Sequence, residues 1–181
     1  YLLFFAVPLL VTGRLGDRYG PKNVYIVGMV IFTLSSLACS YSATIEWLML
    51  SRAVQGLGAA LLTPQTMSVI NRIFPREKRG AAMGIWGAVA GLSTMMGPIL
   101  GGVITSTLSW HWIFLVNVPI GILSIVLVVA WVPPFEPTDK PIVGISMAQS
   151  MLAVSCLIFA IQQGETVAWA WWIWVVMAAG V

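Results

Sequence analysis

The chain has 181 residues, of which 59% are hydrophobic and only 8% charged, with a formal net charge of +3 and a mean hydropathy of +0.94. A soluble domain carries roughly a quarter of its residues as charges, so this composition excludes a water-soluble globule and places the chain in lipid. No basic patch interleaved with aromatics is present, which argues against nucleic acid as a partner, and Cys39 and Cys156 lie far apart in apolar segments without metal or redox spacing.

A spanning helix needs about 20 mostly apolar residues. Residues 1–13 rise only about 20 Å at roughly 1.5 Å per residue and read as the tail of a span. The apolar run from Tyr1 has no basic n-region and does not read as a signal peptide. Residues 23–42 make a full span, and 45–71 a second, with a kink expected at Pro64. Spans over 80–108, 112–132 and 142–163 follow, and 168–181 begins another. Both termini fall within apolar runs, so a fragment of a longer membrane protein is expected. The fold class is an all-α integral membrane bundle of about seven helices, the first and last incomplete.

Charge orients these spans. Arg14, Arg18 and Lys22 lie in loop 13–22, Arg72, Arg76, Lys78 and Arg79 in loop 71–80, and Lys140 in loop 133–141. These alternate loops hold eight of the nine Lys/Arg. The positive-inside rule places them in the cytoplasm, giving a multi-pass plasma-membrane protein. Trp47, Trp110, Trp112, Trp169, Trp171, Trp172 and Trp174 fall at the opposite span ends, as an aromatic belt requires.

Three groups of residues do not suit a passive span. The stretch "GRLGDRYGPK", Gly13 to Lys22, concentrates charge and glycine in one place. Arg52 lies inside a span, where an arginine costs about 2.5–3.5 kcal/mol; snorkelling to headgroups is one account of it. Gln55, Gly56, Ala59, Thr63 and Thr66 continue its face as a polar, small-residue stripe that snorkelling leaves unexplained. In span 80–108, Gly80, Gly84, Gly87, Gly91, Thr94, Pro98 and Gly101 recur every three or four residues, exposing nearly bare backbone to a close neighbour. His111 reads as an interfacial residue, and Glu46, Glu136, Asp139 and Glu165 as solvated loop charges. No nucleophile motif, catalytic carboxylate pair or metal cluster occurs, so no enzyme is expected.

These same residues resemble the major facilitator superfamily. Gly13, Leu15, Asp17, Arg18, Gly20 and Lys22 match its signature between the second and third helices, although Pro21 stands where that pattern usually has a basic residue. "RAVQGLGAA", with Arg52, Gln55, Gly56 and Gly58, is similar to the fourth-helix signature. "GLSTMMGPILGG", with Gly91, Gly97, Pro98, Gly101 and Gly102, resembles the antiporter signature of the fifth helix. "WHWIFLVNVPIG" and the further apolar segments after residue 141 are similar to the fourteen-helix, EmrB/QacA-like drug/proton branch.

The resemblance implies a course from the second family helix to the eighth. Residues 1–133 would form the N-terminal bundle without its first helix, 134–141 a cytoplasmic linker, and 142–181 a truncated extra helix pair. Gly13, Asp17, Arg18, Gly20 and Lys22 would form a conformational latch, with Asp17 meeting basic side chains and a helix N-terminus of the opposite bundle. Arg52, Gln55 and Gly56 would form a polar core for proton coupling. The implied function is export of amphipathic drugs in exchange for protons, by rocking of two bundles about a midplane site. Its energy source would be the proton gradient, with no cofactor. Its partners would be the bilayer, the substrate, protons and the C-terminal bundle of the same chain. A polar-solute facilitator and a non-transporting membrane interaction segment are the alternatives.

Overall fold

The computed structural model describes residues 2–135, 144–164 and 171–179. Every element in them is a helix: α1 Leu2–Ala6, α2 Leu9–Tyr19, α3 Pro21–Ser40, α4 Ile45–Ile73, α5 Arg76–Thr107, α6 His111–Leu115, α7 Asn117–Trp131, α8 Gly144–Gly164 and α9 Trp171–Ala179. Three stretches are long and apolar enough to cross a membrane, namely α3, α5 and His111–Trp131 across α6 and α7. The other expected spans fall on α1–α2, α4, α8 and α9. At 29 residues α4 is long enough. Its Arg52, Gln55, Thr63, Gln65 and Thr66 dilute the hydropathy that marks the other three.

Local chemistry sets the breaks. Pro8 carries no N–H, and the helix is interrupted at Val7–Pro8 between α1 and α2. Thr44 opens α4 by accepting from the Trp47 N–H. The 112–132 span is two pieces rather than one, parted at Val116; Pro119 lies in the first turn of α7, where a missing N–H breaks the ladder back to α6. Helix α4 runs without interruption through Pro64, and α5 through Pro98.

Two expected loops are helical. The Gly13–Lys22 stretch continues α2 to Tyr19, and the whole reversal into α3 falls on Gly20, whose φ of 84° is a left-handed value that glycine adopts freely. Pro21 then starts α3 at the position where a proline's fixed φ suits a first turn. The loop expected over 71–80 shrinks to Phe74 and Pro75, so Arg76, Glu77, Lys78 and Arg79 form the first turn of α5.

Helices α3 and α4 make the most extensive contact of the bundle, and α7 and α6 also pack on α3. Glycine sets the first of these interfaces. A Cβ on Gly58 would stand 2.7 Å from the Phe32 N and 3.0 Å from the Gly28 O, so two backbones meet there with no room for a side chain. Across the second, Gly121 accommodates Thr33, and the Tyr25 and Ser124 hydroxyls lie 3.1 Å apart. Helices α1 and α2 rest on α4, and α8, paired with α9, lies against both.

The glycine-striped helix behaves otherwise. It has no buried residue, and a Cβ at Gly80, Gly84, Gly87, Gly91, Gly97, Gly101 or Gly102 would meet nothing within 4 Å. Among the described residues, close backbone approach within this chain is made at Gly28 and Gly58, and the glycine face of α5 stands open.

Glu136, Asp139, Lys140, Glu165 and Trp169, and the expected linker from residue 136 onward, lie outside the described residues.

Candidate functional site

Two helix reversals, Gly20 and Phe74–Pro75, and the segment Val132–Phe135 meet at one end of the bundle. Contacts between them show that the first two basic stretches share that end. Asp17 of α2 pairs with Arg72 of α4, its Oδ1 lying 3.5 Å from Nη2, with side chains 47% and 28% exposed. The Arg72 guanidinium also lies 5.5 Å from the centre of the Phe135 ring. Lys22 Nζ donates to the Val129 carbonyl at 3.1 Å and to the Val132 carbonyl. Arg79 donates from Nε to the Phe74 carbonyl at 3.0 Å and from Nη2 to the Asn71 carbonyl at 2.6 Å. The last carbonyls of a helix have no partner within it and carry the negative end of its dipole, so cations settle there. Thus Lys22 closes α7, and Arg79 closes α4.

Of the five residues expected in a latch, Gly13 is helical, where an added Cβ would stand 3.7 Å from the Pro64 Cβ, and Lys22 caps α7. Gly20 forms the reversal, Arg18 is exposed with its guanidinium 5.7 Å from the centre of the Tyr19 ring, and Asp17 finds its basic partner on α4 of the same bundle.

A second constellation crosses the bundle. Arg52 lies seven residues into α4, roughly 10 Å along its axis. Its Nη1 donates to Gln55 Oε1 at 2.6 Å, and Gln55 Nε2 donates to the Ser36 hydroxyl of α3. Gln55 is 1% exposed and Ser36 is fully buried. The guanidinium stands 5.5 Å from the centre of the Phe114 ring in α6, a favourable cation–π arrangement. Gly56 and Ala59 of the same stripe are buried, while the Thr66 hydroxyl turns back to the Leu62 carbonyl at 3.0 Å. The structure thus gathers Arg52, Gln55 and Ser36 into one hydrogen-bonded chain. Sequence reasoning did not single out Ser36, because a serine in an apolar span gives no signal until its partner is known.

A chamber of about 520 Å³ opens between α1, α4, α8 and α9, with Phe4, Pro8, Leu57, Met151 and Phe159 among its walls. Its surface is apolar, since the hydroxyl of Ser155 is turned to the Met151 carbonyl at 2.6 Å. At the end opposite the basic residues, His111 stacks on Trp110 with ring centres 3.8 Å apart, in keeping with an interfacial role. Among the described residues no cluster of His, Cys, Asp or Glu could hold a metal.

A family model of the Major Facilitator Superfamily matches residues 1–181. The chain belongs to the Major Facilitator Superfamily. An uncharacterized MFS-type transporter of Mycobacterium tuberculosis is 44% identical over 100% of this chain and 31% of its own length. Multidrug resistance protein 3 of Bacillus subtilis is 36% identical over 91% of this chain and 32% of its own. The chain thus spans about a third of the length of the curated relatives it matches. A crystal structure of the peptide transporter POT in complex with sulfate superposes with a TM-score of 0.68 at 20% identity, over 93% of this chain and 36% of that one, and shows the same superfamily fold. Membership accords with a multi-pass membrane protein, and relatives named for drug resistance accord with the drug-efflux branch of the family.

Proposed function

We propose that the full-length protein exports amphipathic, drug-like compounds in exchange for protons across the plasma membrane, with this chain supplying most of its N-terminal bundle and its basic end facing the cytoplasm. The observation that carries the proposal is the Arg52–Gln55–Ser36 chain. A cation at span depth costs about 2.5–3.5 kcal/mol and is retained where it acts on a charge inside the bundle. Held by Gln55, the guanidinium is a fixed positive charge. A carboxylate near it stays ionised, and one carried away from it as the bundles rock takes up a proton. That carboxylate belongs to the remainder of the protein, as does half of the substrate cavity. The proton gradient supplies the energy and no cofactor takes part. The apolar chamber suits the hydrophobic part of an amphipathic compound. On this reading Asp17 latches the cytoplasmic side, with Arg72 holding its carboxylate in place.

The test is reconstitution of the full-length protein in liposomes with an imposed proton gradient, following efflux of a cationic dye. Parent protein is expected to pump, Arg52→Ala to lose coupled efflux while remaining folded, and Arg52→Lys to recover part of it. Normal proton-driven efflux by Arg52→Ala would refute the proposal.

A further inference from the structure

Gln65 of α4 is 1% exposed, deep between α2 and α4. Its Nε2 donates to the Thr12 carbonyl at 2.7 Å, while its Oε1 is buried with no hydrogen-bond partner. The orientation of the amide follows from Thr12, since a carbonyl accepts only from the NH2 end. The free oxygen lies over Gly16, one turn further along α2. A Cβ on Gly16 would stand 1.7 Å from Oε1 and 2.6 Å from Cδ. Gly16 therefore serves no turn: it lies within α2, and its missing side chain is the slot that the Gln65 amide fills.

Leaving an amide oxygen without a donor in an apolar interior is unfavourable, and an aliphatic residue would fill the same slot without that cost. What the amide adds is two-ended engagement. Its nitrogen holds the Thr12 carbonyl, and its oxygen end occupies the one place along α2 with no Cβ. Sliding α2 by one residue would bring Leu15 or Asp17 opposite Gln65, and neither fits. The helix face on either side is matched in the same register, with Thr12 Oγ1 donating to the Ala60 carbonyl at 2.7 Å and Gly13 leaving room beside Pro64 for no more than a methyl group, whose carbon would stand 3.7 Å from the Pro64 Cβ. The residue after Gly16 is Asp17. The residue two turns beyond Gln65, on the same face of α4, is Arg72, and these two form the 3.5 Å ion pair.

We infer that Gln65 is a positioning residue: seated in the Gly16 slot, it locks α2 and α4 in the one register that sets Asp17 against Arg72. The inference deepens the latch reading and rests on it for its consequence in transport, but the position itself can be read separately.

In the full-length protein, freed of its native cysteines, Asp17→Cys and Arg72→Cys are joined by a short bifunctional thiol reagent, and the rate of cross-linking reports the register. Gly16→Ala is expected to slow cross-linking about five-fold or more, and Gly16→Ala with Gln65→Ala to restore it to within about two-fold, because removing the amide makes room for the methyl group. A general loss of packing would make the double variant worse than either single one. If Gly16→Ala does not accumulate, the comparison is between Gln65→Ala and the double variant, and the double must cross-link faster. Unchanged cross-linking in Gly16→Ala, or a double variant no faster than the slower single, overturns the inference. Proton-driven efflux is measured on Gly16→Ala with Asp17 and Arg72 intact. Slowed cross-linking with undiminished efflux upholds the positioning role and removes the latch.

Discussion

Lys22 and Val129 are joined by a 3.1 Å hydrogen bond from the ammonium to the backbone carbonyl, 107 residues apart in the chain. A lysine in the first turn of α3 thereby closes the last turn of α7. The charge lies at the negative end of the helix dipole and satisfies carbonyls that α7 cannot. Lys22→Ala is expected to destabilise the full-length protein by about 0.3–2 kcal/mol, with Lys22→Arg recovering most of the loss. Thermal unfolding in detergent, followed by gel filtration, checks it. An equal loss in both variants would show that the cap depends on more than charge.

Gly58 is expected to be the glycine least able to accept a side chain. Its Cβ would press on the Phe32 backbone N and the Gly28 carbonyl, neither of which can rotate away. Gly58→Ala should cost about 1–3 kcal/mol and lower the yield of folded protein. The matched control is Gly87→Ala, which meets no atom within 4 Å in this chain and should insert normally. Folded yield of the two variants, measured side by side, decides.

The proposed orientation predicts a labelling pattern. Cysteines at Arg18 and Arg76, both exposed at the basic end, should react with an impermeant thiol reagent only from the cytoplasm. One at Tyr41, 77% exposed at the other end, should react only from outside. Tyr41 is a better probe than Ser42, which is 6% exposed. Outside labelling at Arg76 would invert the topology.

Gly97 and Pro98 carry the antiporter reading of α5. Nothing in this chain stands within 4 Å of a Cβ at Gly97, so Gly97→Leu should leave insertion intact. If the remainder of the protein packs on that face, the added bulk should hold the bundles apart, ending export and opening a proton leak. Pro98→Ala should be milder, because it restores a helix hydrogen bond without adding bulk. Simultaneous measurement of proton leak and dye efflux tests both. Gly97→Leu protein that pumps normally without leaking would remove the antiporter reading.

Much of the site was legible in the chain because it rested on composition and on costs paid locally. Arg52 stood out because a cation in an apolar run is expensive wherever its partners lie. Gln55 and Gly56 followed from helical spacing. Gln65 obeys the same logic, being an amide inside the same span, and could have been found by it.

By itself the sequence determined that the chain is helical and membrane-embedded, where the long helices α3, α4, α5 and α8 begin and end to within a few residues, and that the basic residues ahead of α3 and α5 share one side. Those properties follow from hydropathy, proline, glycine and the sign of charge, all of which act over a turn or two of helix. Only the tertiary structure decided which glycines are crowded. Gly28, Gly58 and Gly16 are filled by backbone or by an amide from another helix, while the longer stripe from Gly80 to Gly102 meets nothing. A glycine's missing side chain gives a neighbour permission to approach, and whether one does depends on residues far along the chain, Phe32 for Gly58 and Gln65 for Gly16. The partners of the charges were decided in the same way. Nothing within reach of Asp17 or Lys22 along the local sequence distinguishes an ion pair with Arg72 from a cap on α7, because the partner that each one meets is brought to it by the packing of the bundle.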